Sequence, residues 1–253
     1  MPRDAFVTDR TAGWLLGAPM ILAPGSHLDM PSPSVFLPQG RRLRNDVAAS
    51  GERRLIERDV MTVGGIRVTT PLRTACDLGR LLHPDQALGA MDALARIGGF
   101  GPAEIERELL RFKGYRGIVM ARALAPHVDS LSESPEESAL RLRWIEAGNA
   151  PRPRLQVAVP SPGGSWFYLD IAAPEIGYAA EYDGKQWHGP QQRLRDTDRR
   201  DWIRSEYGYI IDVFESEDVH GRHEAASARL RYGIAAARIS LAERAPLLAR
   251  LDG

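Results

Sequence analysis

Apolar residues follow two different patterns along the chain, and the change between them divides it into two regions. In the first region, short apolar runs lie among turns rich in Pro, Gly and Ser. These runs predict one short helix, Thr11–Leu16, and three short strands, Met20–Leu22, Ser34–Leu37 and Val60–Val63. Apolar residues at helical spacing then predict four helices, at Pro71–Leu82, from Pro84 onward, at Pro102–Leu110 and at Gly117–Leu124. We therefore expect a small mixed domain that becomes helical.

A polar, turn-like segment from Asp129 to Pro135 separates the two regions and predicts domains at 1–128 and 129–253. The elements predicted after it are a helix, three strands, a helix, a fourth strand and two final helices: Ser134–Ala147, Leu155–Val159, Trp166–Ile171, Tyr178–Tyr182, Pro190–Glu206, Tyr209–Phe214, Glu224–Ala237 and Leu241–Leu251. A three-strand meander followed by a helical crossover predicts a mixed sheet flanked by helices, and hence an α/β (α+β) fold.

Composition excludes several classes of protein. The chain is 43% hydrophobic and 26% charged, which is ordinary for a globular protein, and its formal net charge of zero gives no argument for or against nucleic acid. Cys76 is the only cysteine, so an internal disulfide and a thiol-based zinc site are excluded. The longest apolar stretch, Trp14–Leu22, is too short to span a bilayer, and no secretory signal pattern begins the chain. We expect a cytoplasmic protein that does not bind membranes.

Acidic residues at the predicted strand ends are the strongest candidates for chemistry. Alternate residues of a strand share a face, so Asp170 shares its face with Tyr168, and Glu181 shares its face with Asp183. If the two strands are adjacent and antiparallel, these three carboxylates converge near one end of the sheet. Their mutual repulsion would raise their pKa values unless a cation offset it. Acidic residues at strand ends are also often simply solvated, and that alternative stays open.

A divalent cation, Mg²⁺ or Mn²⁺, would suit such a carboxylate cluster. It could polarise a phosphodiester oxygen and generate hydroxide near neutral pH. If the strand extends far enough, Lys185 continues the face of Glu181 and Asp183, and its ammonium could stabilise charge in the transition state. The residues therefore predict a metal-dependent phosphodiesterase site.

The order of these residues resembles the very-short-patch-repair-like branch of the PD-(D/E)XK nuclease superfamily. The resemblance is carried by four elements along Ser134–His220: Glu137 in a helix, Leu169-Asp170, Glu181-Tyr-Asp183-Gly-Lys-Gln-Trp-His188, and Asp196-Thr-Asp-Arg199. It implies a restriction-endonuclease-like fold with a Mg²⁺ site at Asp170, Glu181 and Asp183. It also implies that Glu137, Lys185 and His188 take part in catalysis.

Two assignments within this motif stay open. Either Glu181 and Asp183 form the acidic pair with Lys185 auxiliary, which we favour, or Asp183 is the acid and Lys185 takes the superfamily's lysine position. His188 either belongs to the site or only caps the turn near Pro190. Members of this branch also occur as appended domains, so the fold is the safer inference.

The predicted helix after this motif is rich in arginine. Arg193, Arg195, Arg199 and Arg200 are spaced to form a stripe that suits DNA phosphates. Acidic residues are interleaved with them, so the same residues could instead make local solvated pairs. Both interpretations remain open.

The first region resembles AbiEi-type antitoxins. The resemblance is carried by Thr11-Ala-Gly-Trp-Leu-Leu-Gly17 and by Gly65-Ile-Arg-Val-Thr-Thr-Pro71-Leu-Arg-Thr-Ala-Cys-Asp77-Leu. Full-length members of that family usually begin with a winged-helix DNA-binding domain. Thr11 already matches the middle region of the family, so we expect the winged helix to be absent here.

Three functional hypotheses follow. The first is a metal-dependent DNA endonuclease or nickase acting in phage defence or a toxin–antitoxin context. The second is a catalytically silent AbiEi-like DNA-binding regulator or antitoxin, and the third is a protein-interaction module. The partners expected from these hypotheses are DNA, a toxin or host protein, and a second copy of the chain in a homodimer.

Overall fold

The computed structural model describes residues 2–21, 31–43, 47–184, 190–220 and 223–248. The chain divides into two compact units, Met1–Pro135 and Glu136–Gly253. The division falls at the end of the polar segment in which the sequence predicts a boundary, several residues after residue 128. The mixed α/β class expected from the sequence is confirmed, because helices and mixed β-sheets form both units.

The first unit begins with a five-stranded sheet. Its strands are β1 (Phe6–Val7), β2 (Val35–Pro38), β3 (Glu52–Arg53), β4 (Val60–Val63) and β5 (Ile66–Thr69). Their spatial order is β3-β2-β1-β5-β4, with β4 and β5 antiparallel and β1 parallel to β5. The β4–β5 connection is Gly64-Gly65, and both glycines have positive φ, which a tight two-residue hairpin turn requires. The two-residue strands β1 and β3 are too short to leave a readable alternation in the sequence.

Helices complete the first unit. They are α1 (Asp9–Leu15), α2 (Pro71–Leu81), α3 (Pro84–Gly98), α4 (Pro102–Leu109) and α5 (Ile118–Leu124). Helix α2 starts where the sequence predicts, because Pro71 suits the first turn and the Thr70 hydroxyl accepts a hydrogen bond from the backbone N–H of Arg73.

The strand predicted at Met20–Leu22 is wrong. Pro19–Ile21 forms a short 3₁₀ turn instead, and Leu22 lies outside the described residues. The turn is stabilised locally, because the backbone N–H of Ala18 bonds to the Gly13 carbonyl and that of Ile21 bonds to the Ala18 carbonyl. Apolar character alone does not separate a three-residue strand from a helical turn.

The second unit is a four-stranded mixed sheet between helices. Its elements are α6 (Pro135–Glu146), β6 (Arg154–Pro160), β7 (Trp166–Ala173), β8 (Tyr178–Tyr182), α7 (Pro190–Tyr207), β9 (Ile210–Phe214), α8 (Ser216–His220) and α9 (His223–Leu248). The order is β6-β7-β8-β9, antiparallel except that β8 and β9 run parallel. Helix α7 makes the crossover that a parallel pair requires. One buried cluster lies under α6 and α9, and a second lies under α7.

The end of the chain differs from the two helices expected there. A single helix, α9, runs through the position where the sequence analysis places a break, between Ala237 and Leu241. The residues between them contain neither Gly nor Pro, so nothing terminates the helix. The short helix α8 has no counterpart in the predicted elements. Within the described residues, no helix has both the length and the apolar character needed to cross a bilayer.

Helix α9 comes very close to the sheet at Gly233. A Cβ atom added there would lie 2.5 Å from the ring of Tyr178, which is less than real side chains show. The Tyr178 hydroxyl donates a 2.8 Å hydrogen bond to Asp212, and its ring packs against the buried Trp144 with 5.2 Å between ring centroids. A glycine at this position is therefore required for the observed helix–sheet distance.

Candidate functional site

Asp170 and Glu181 lie side by side in the second unit. The antiparallel register of β7 and β8 pairs Ile171 with Ala180. Asp170, which precedes Ile171, therefore comes opposite Glu181, which follows Ala180. The Asp170 carboxylate accepts a 3.0 Å hydrogen bond from the backbone N–H of Tyr182, which ties it to β8. The antiparallel pairing that the sequence analysis assumes for these strands is therefore present.

The strict alternation expected along β7 is wrong at Asp170. Leu169 packs in the cluster under α7, whereas Ile171 packs in the cluster under α6 and α9. The partner strand β6 makes the same change of face around Gln156, whose φ is +48°. A left-handed residue in a strand turns the backbone and re-aims the side chains that follow. Asp170 therefore lies where the sheet changes face, with α6 and α7 on its two sides.

Glu181 is held by two arginines from α7. Its side chain is 2% exposed, and its Oε2 atom accepts hydrogen bonds from Arg199 Nη2 at 2.8 Å and Arg200 Nε at 2.6 Å. Arg200 also lies 3.8 Å from an oxygen of Asp183, so its guanidinium bridges the two acids. The other oxygen of Glu181, Oε1, is buried and accepts no hydrogen bond from the part of the chain that is described.

Glu137 adds a third negative charge near Asp170. It lies in the first turn of α6, is 9% exposed, and has the side-chain amide of Gln156 3.5 Å from its Oε2 atom. Burial, together with the charges of Glu137 and Glu181, raises the pKa of Asp170 to about 7, although the Tyr182 N–H and Arg199 act in the opposite direction. A carboxyl group of this kind titrates near neutral pH.

These features define what the site could bind. Among the described residues, no three His, Cys, Asp or Glu side chains are grouped closely enough to hold a metal as they stand. The orphan Oε1 of Glu181 and the raised pKa of Asp170 nevertheless both fit a cation, which would coordinate the first and lower the second. Asp170 and Glu181 thus lie together, and Arg200 joins Asp183 to Glu181.

The remaining predicted site residues divide into two groups. Lys185 and His188 lie outside the described residues, as does the side chain of Arg193. On α7, Arg195 is exposed, whereas Arg199 and Arg200 turn inwards to Glu181. The basic stripe expected on this helix is therefore not a uniform solvent-facing track. The Asp-x-x-Arg element instead supplies the arginine that contacts the acid of β8.

A buried ion network in the first unit was not foreseen from the sequence. Asp77 is fully buried and accepts hydrogen bonds from Arg73 Nε at 2.9 Å and Arg80 Nη2 at 2.7 Å. Arg53 Nη1 lies 2.9 Å from the same carboxylate. Burial alone would raise the pKa of Asp77, but Arg53 and Arg73 lower it below its ordinary value. The spacing of Arg73 and Asp77, four residues apart on one helix, was the available signal.

The network continues through Asp59, which is 2% exposed. Its carboxylate accepts hydrogen bonds from Arg73 at 2.8 Å and from Arg111 at 2.8 and 2.9 Å. Arg111 and Arg58 also pair with the buried carboxylate of Glu108. Burial works against ionisation of Asp59, but the hydrogen bonds from Arg111 and the Ile56 N–H lower its pKa. Every buried carboxylate of this network therefore has at least two arginine partners.

Comparisons with known proteins match the two units differently. Residues 5–127 match the family model described as the AbiEi antitoxin C-terminal domain, a range that contains the whole ion network and ends before the acidic site. Two relatives from strains of Mycobacterium tuberculosis, the uncharacterized proteins Rv2248 and MT2308, are each 35% identical over 207 residues, which is 81% of this chain and 75% of theirs. No solved structure matches the chain significantly.

Proposed function

We infer the function from the family: the chain belongs to the same family as the two mycobacterial proteins, and its residues 5–127 match the AbiEi antitoxin C-terminal domain. On this premise, the chain acts in a toxin–antitoxin or abortive-infection setting. Its second unit is a DNA endonuclease or nickase that depends on Mg²⁺ or Mn²⁺. The first unit is the antitoxin-type part of the molecule, with a toxin as its partner, and DNA is the partner of the second unit.

One observation carries the nuclease proposal. Burial and two neighbouring carboxylates raise the pKa of Asp170 to about 7, beside a Glu181 oxygen that accepts no hydrogen bond from the described residues. This supports the proposal because carboxyl groups with strongly perturbed pKa values concentrate at functional sites.

Each residue has a role in the proposal. Asp170, Glu181 and Asp183 hold the cation, which when bound supplies Lewis-acid activation of a phosphodiester and of water. Arg199 and Arg200 neutralise Glu181 and present further N–H donors that suit a DNA phosphate. Glu137 keeps the field at Asp170 negative and so favours cation binding. Lys185 and His188 assist as charge-stabilising groups.

A second candidate is the catalytically silent DNA-binding regulator. The double hydrogen bond from Arg199 and Arg200 to Glu181 favours it, because the arginines already neutralise one of the metal ligands. In this alternative the site is an internal ion cluster, and the same arginines prevent metal binding.

Plasmid cleavage distinguishes the two functions. The full chain is incubated with supercoiled plasmid and Mg²⁺ or Mn²⁺, and nicked and linear products are measured for the wild type, Asp170→Asn and Glu181→Gln. Asp201→Ala, an exposed acid on the same helix as the arginines, is the matched control. The nuclease proposal expects cleavage by the wild type and control, at least 100-fold less by the two site variants, and none in EDTA. A retarded but uncut plasmid in all four proteins would support the regulator.

A further inference from the structure

Arg199 and Arg200 reach Glu181 from neighbouring positions of α7, but the structure fixes them to different degrees. Arg199 donates from Nη1 to the backbone carbonyl of Tyr168 at 2.9 Å and from Nη2 to Glu181 Oε2 at 2.8 Å. Arg200 donates from Nε to the same Glu181 oxygen at 2.6 Å, and its Nη2 atom lies 3.8 Å from Asp183 Oδ2. Arg199 is therefore anchored to the backbone of β7, whereas the polar partners of Arg200 among the described residues are these two carboxylates alone.

The Arg200 guanidinium lies between the two carboxylates that a shared cation would have to join. Its positive charge repels a divalent ion there, and its Nε atom takes up an oxygen that a metal would coordinate. Oε2 of Glu181 accepts hydrogen bonds from both arginines, while Oε1 is buried and accepts none from the part of the chain that is described. Because Arg199 is anchored separately, Glu181 keeps a charged partner when Arg200 leaves.

A phosphate in solution can reach the arginines but not the carboxylate behind them. The side chain of Arg200 is 14% exposed and that of Arg199 is 20% exposed, whereas that of Glu181 is 2% exposed. One guanidinium can donate two parallel hydrogen bonds to a phosphate, which offers Arg200 a replacement for its carboxylate partners. A phosphodiester and a divalent cation therefore do not compete here, because the first binds the arginine and the second binds the acids.

We propose that Arg200 is an exchangeable counter-ion, which keeps the metal site closed until a DNA phosphodiester draws its guanidinium away from Glu181 and Asp183. The inference rests on the proposed function for the metal and for DNA, and it specifies how the same site is regulated. Because coupling between two binding sites is reciprocal, the metal raises the affinity for DNA by the same factor as DNA raises the affinity for the metal. The free protein then binds metal weakly, and cleavage is confined to the DNA complex.

Isothermal titration calorimetry of Mn²⁺ into the full chain, without DNA, tests the closed state. Arg200→Met keeps much of the side-chain length and removes the charge, so it should bind Mn²⁺ roughly 5- to 150-fold more tightly than the wild type, the usual range of coupling between sites. Arg231→Met removes an exposed arginine of α9 and is the matched control. Its Mn²⁺ affinity should stay within about 2-fold of the wild type, because salt screens distant exposed charges. Circular dichroism verifies that both variants are folded.

Fluorescence anisotropy with a short fluorescein-labelled DNA duplex measures the coupling itself. The affinity of each protein for the duplex is compared in Mn²⁺ and in EDTA at matched ionic strength. The wild type and Arg231→Met should bind the duplex more tightly in Mn²⁺, whereas Arg200→Met should show no such gain because its metal site is already open. A denaturing gel of each sample identifies the DNA that is still uncut, and only those samples are compared.

The outcomes separate this inference from the nuclease proposal. Equal Mn²⁺ affinity of Arg200→Met and the wild type, or an equal effect of Mn²⁺ on their DNA binding, would overturn the counter-ion role. Plasmid cleavage by the wild type would then leave the nuclease proposal standing. Tighter Mn²⁺ binding by Arg200→Met, together with coupling only in the proteins that retain Arg200, supports the counter-ion role even if no protein cuts plasmid. Absence of Mn²⁺ binding in every protein would overturn both proposals.

Discussion

The two units use the same two chemical groups, carboxylates and guanidinium groups, in opposite ways. In the first unit, buried Asp77 and Asp59 are each surrounded by arginines, which lower the pKa of both acids. In the second unit, Asp170 is buried beside two other carboxylates, and its pKa rises to about 7. In the first arrangement every buried carboxylate has arginine partners, whereas in the second Arg199 and Arg200 bond to Glu181 and the pKa of Asp170 stays raised. The first arrangement therefore fits a structural role, and the second fits the binding site that we propose.

The difference also sets opposite responses to pH. A carboxylate with a lowered pKa stabilises the folded state above its ordinary value of 3.8, and that contribution is lost as the pH falls below it. Asp170, with a raised pKa, is neutral in both states at low pH, and the folded second unit loses stability as the pH rises from 3.8 towards about 7.

The largest effect is expected for Asp77→Ala. It leaves Arg53, Arg73 and Arg80 buried without their shared counter-charge, which should lower the free energy of unfolding of the first unit by about 3–5 kcal/mol. Urea denaturation measures the loss, and hydrogen–deuterium exchange should locate it within residues 1–135. Glu106→Ala, at an exposed position of α4, is the control and should cost less than about 0.5 kcal/mol. An equally small effect of Asp77→Ala would mean that the network is not structural.

In contrast to Asp77→Ala, Asp170→Asn is expected to raise the free energy of unfolding. The amide keeps the hydrogen-bond acceptor for the Tyr182 N–H and removes a charge that the folded state disfavours. At pH 8 the variant should be more stable than the wild type by about 2–4 kcal/mol, since each pKa unit corresponds to about 1.4 kcal/mol. The gain should shrink at pH 5, where the native carboxyl is largely protonated. Thermal unfolding at both pH values measures this gain in stability. A variant that is less stable than the wild type at pH 8 would contradict the raised pKa of Asp170.

A smaller effect is expected from divalent cations. Mg²⁺ or Mn²⁺ at 10 to 100 times its dissociation constant should stabilise the wild-type second unit by about 1–3 kcal/mol. Thermal unfolding of the full chain with and without EDTA measures the shift, with Glu181→Gln as the variant that should not respond. The first-unit transition serves as an internal control, because its carboxylates are already paired with arginines. Equal shifts in both proteins would indicate nonspecific ion effects.

The smallest effect is expected for an exposed pair. Asp201 and Arg204 are 2.8 Å apart on α7, with side chains 63% and 41% exposed. Asp201→Ala should change the free energy of unfolding by less than about 0.5 kcal/mol, because solvent and salt screen such pairs. Urea denaturation beside Asp77→Ala then gives the contrast between an exposed ion pair and a buried network in one chain. If Asp201→Ala lowered the free energy of unfolding as much as Asp77→Ala, burial would not explain the large effect of Asp77→Ala.

Much of the architecture was predictable because it follows local rules. The three-strand meander, the α7 crossover and the starts of α2 and α3 at Pro71 and Pro84 all follow from periodicity and proline chemistry. The juxtaposition of Asp170 and Glu181 was also accessible, since it needs only two neighbouring antiparallel strands.

The features that escaped prediction depend on tertiary contacts. Nothing in the order of residues along α7 shows that Arg199 and Arg200 turn to Glu181 rather than to solvent. The change of face at Asp170 accompanies a positive φ at Gln156 on the partner strand. Glutamine rarely adopts a positive φ, so the sequence does not predict this conformation. In the first unit, the spacing of Arg73 and Asp77 was visible, but their partners Asp59 and Arg53 come from distant positions that only the fold brings together.

The contact at Gly233 makes the acid pair sensitive to a distant side chain. Tyr178, against which the helix rests, begins the same five-residue strand that carries Glu181 near its end. A single methyl group at residue 233 would have to displace the Tyr178 ring and the Asp212 carboxylate, or push the helix away from the sheet, and a shift of Tyr178 would disturb the strand that carries Glu181. Position 233 thus limits how closely α9 packs on the sheet, and a substitution on this helix, outside the acidic site, would alter the alignment on which the proposed chemistry depends.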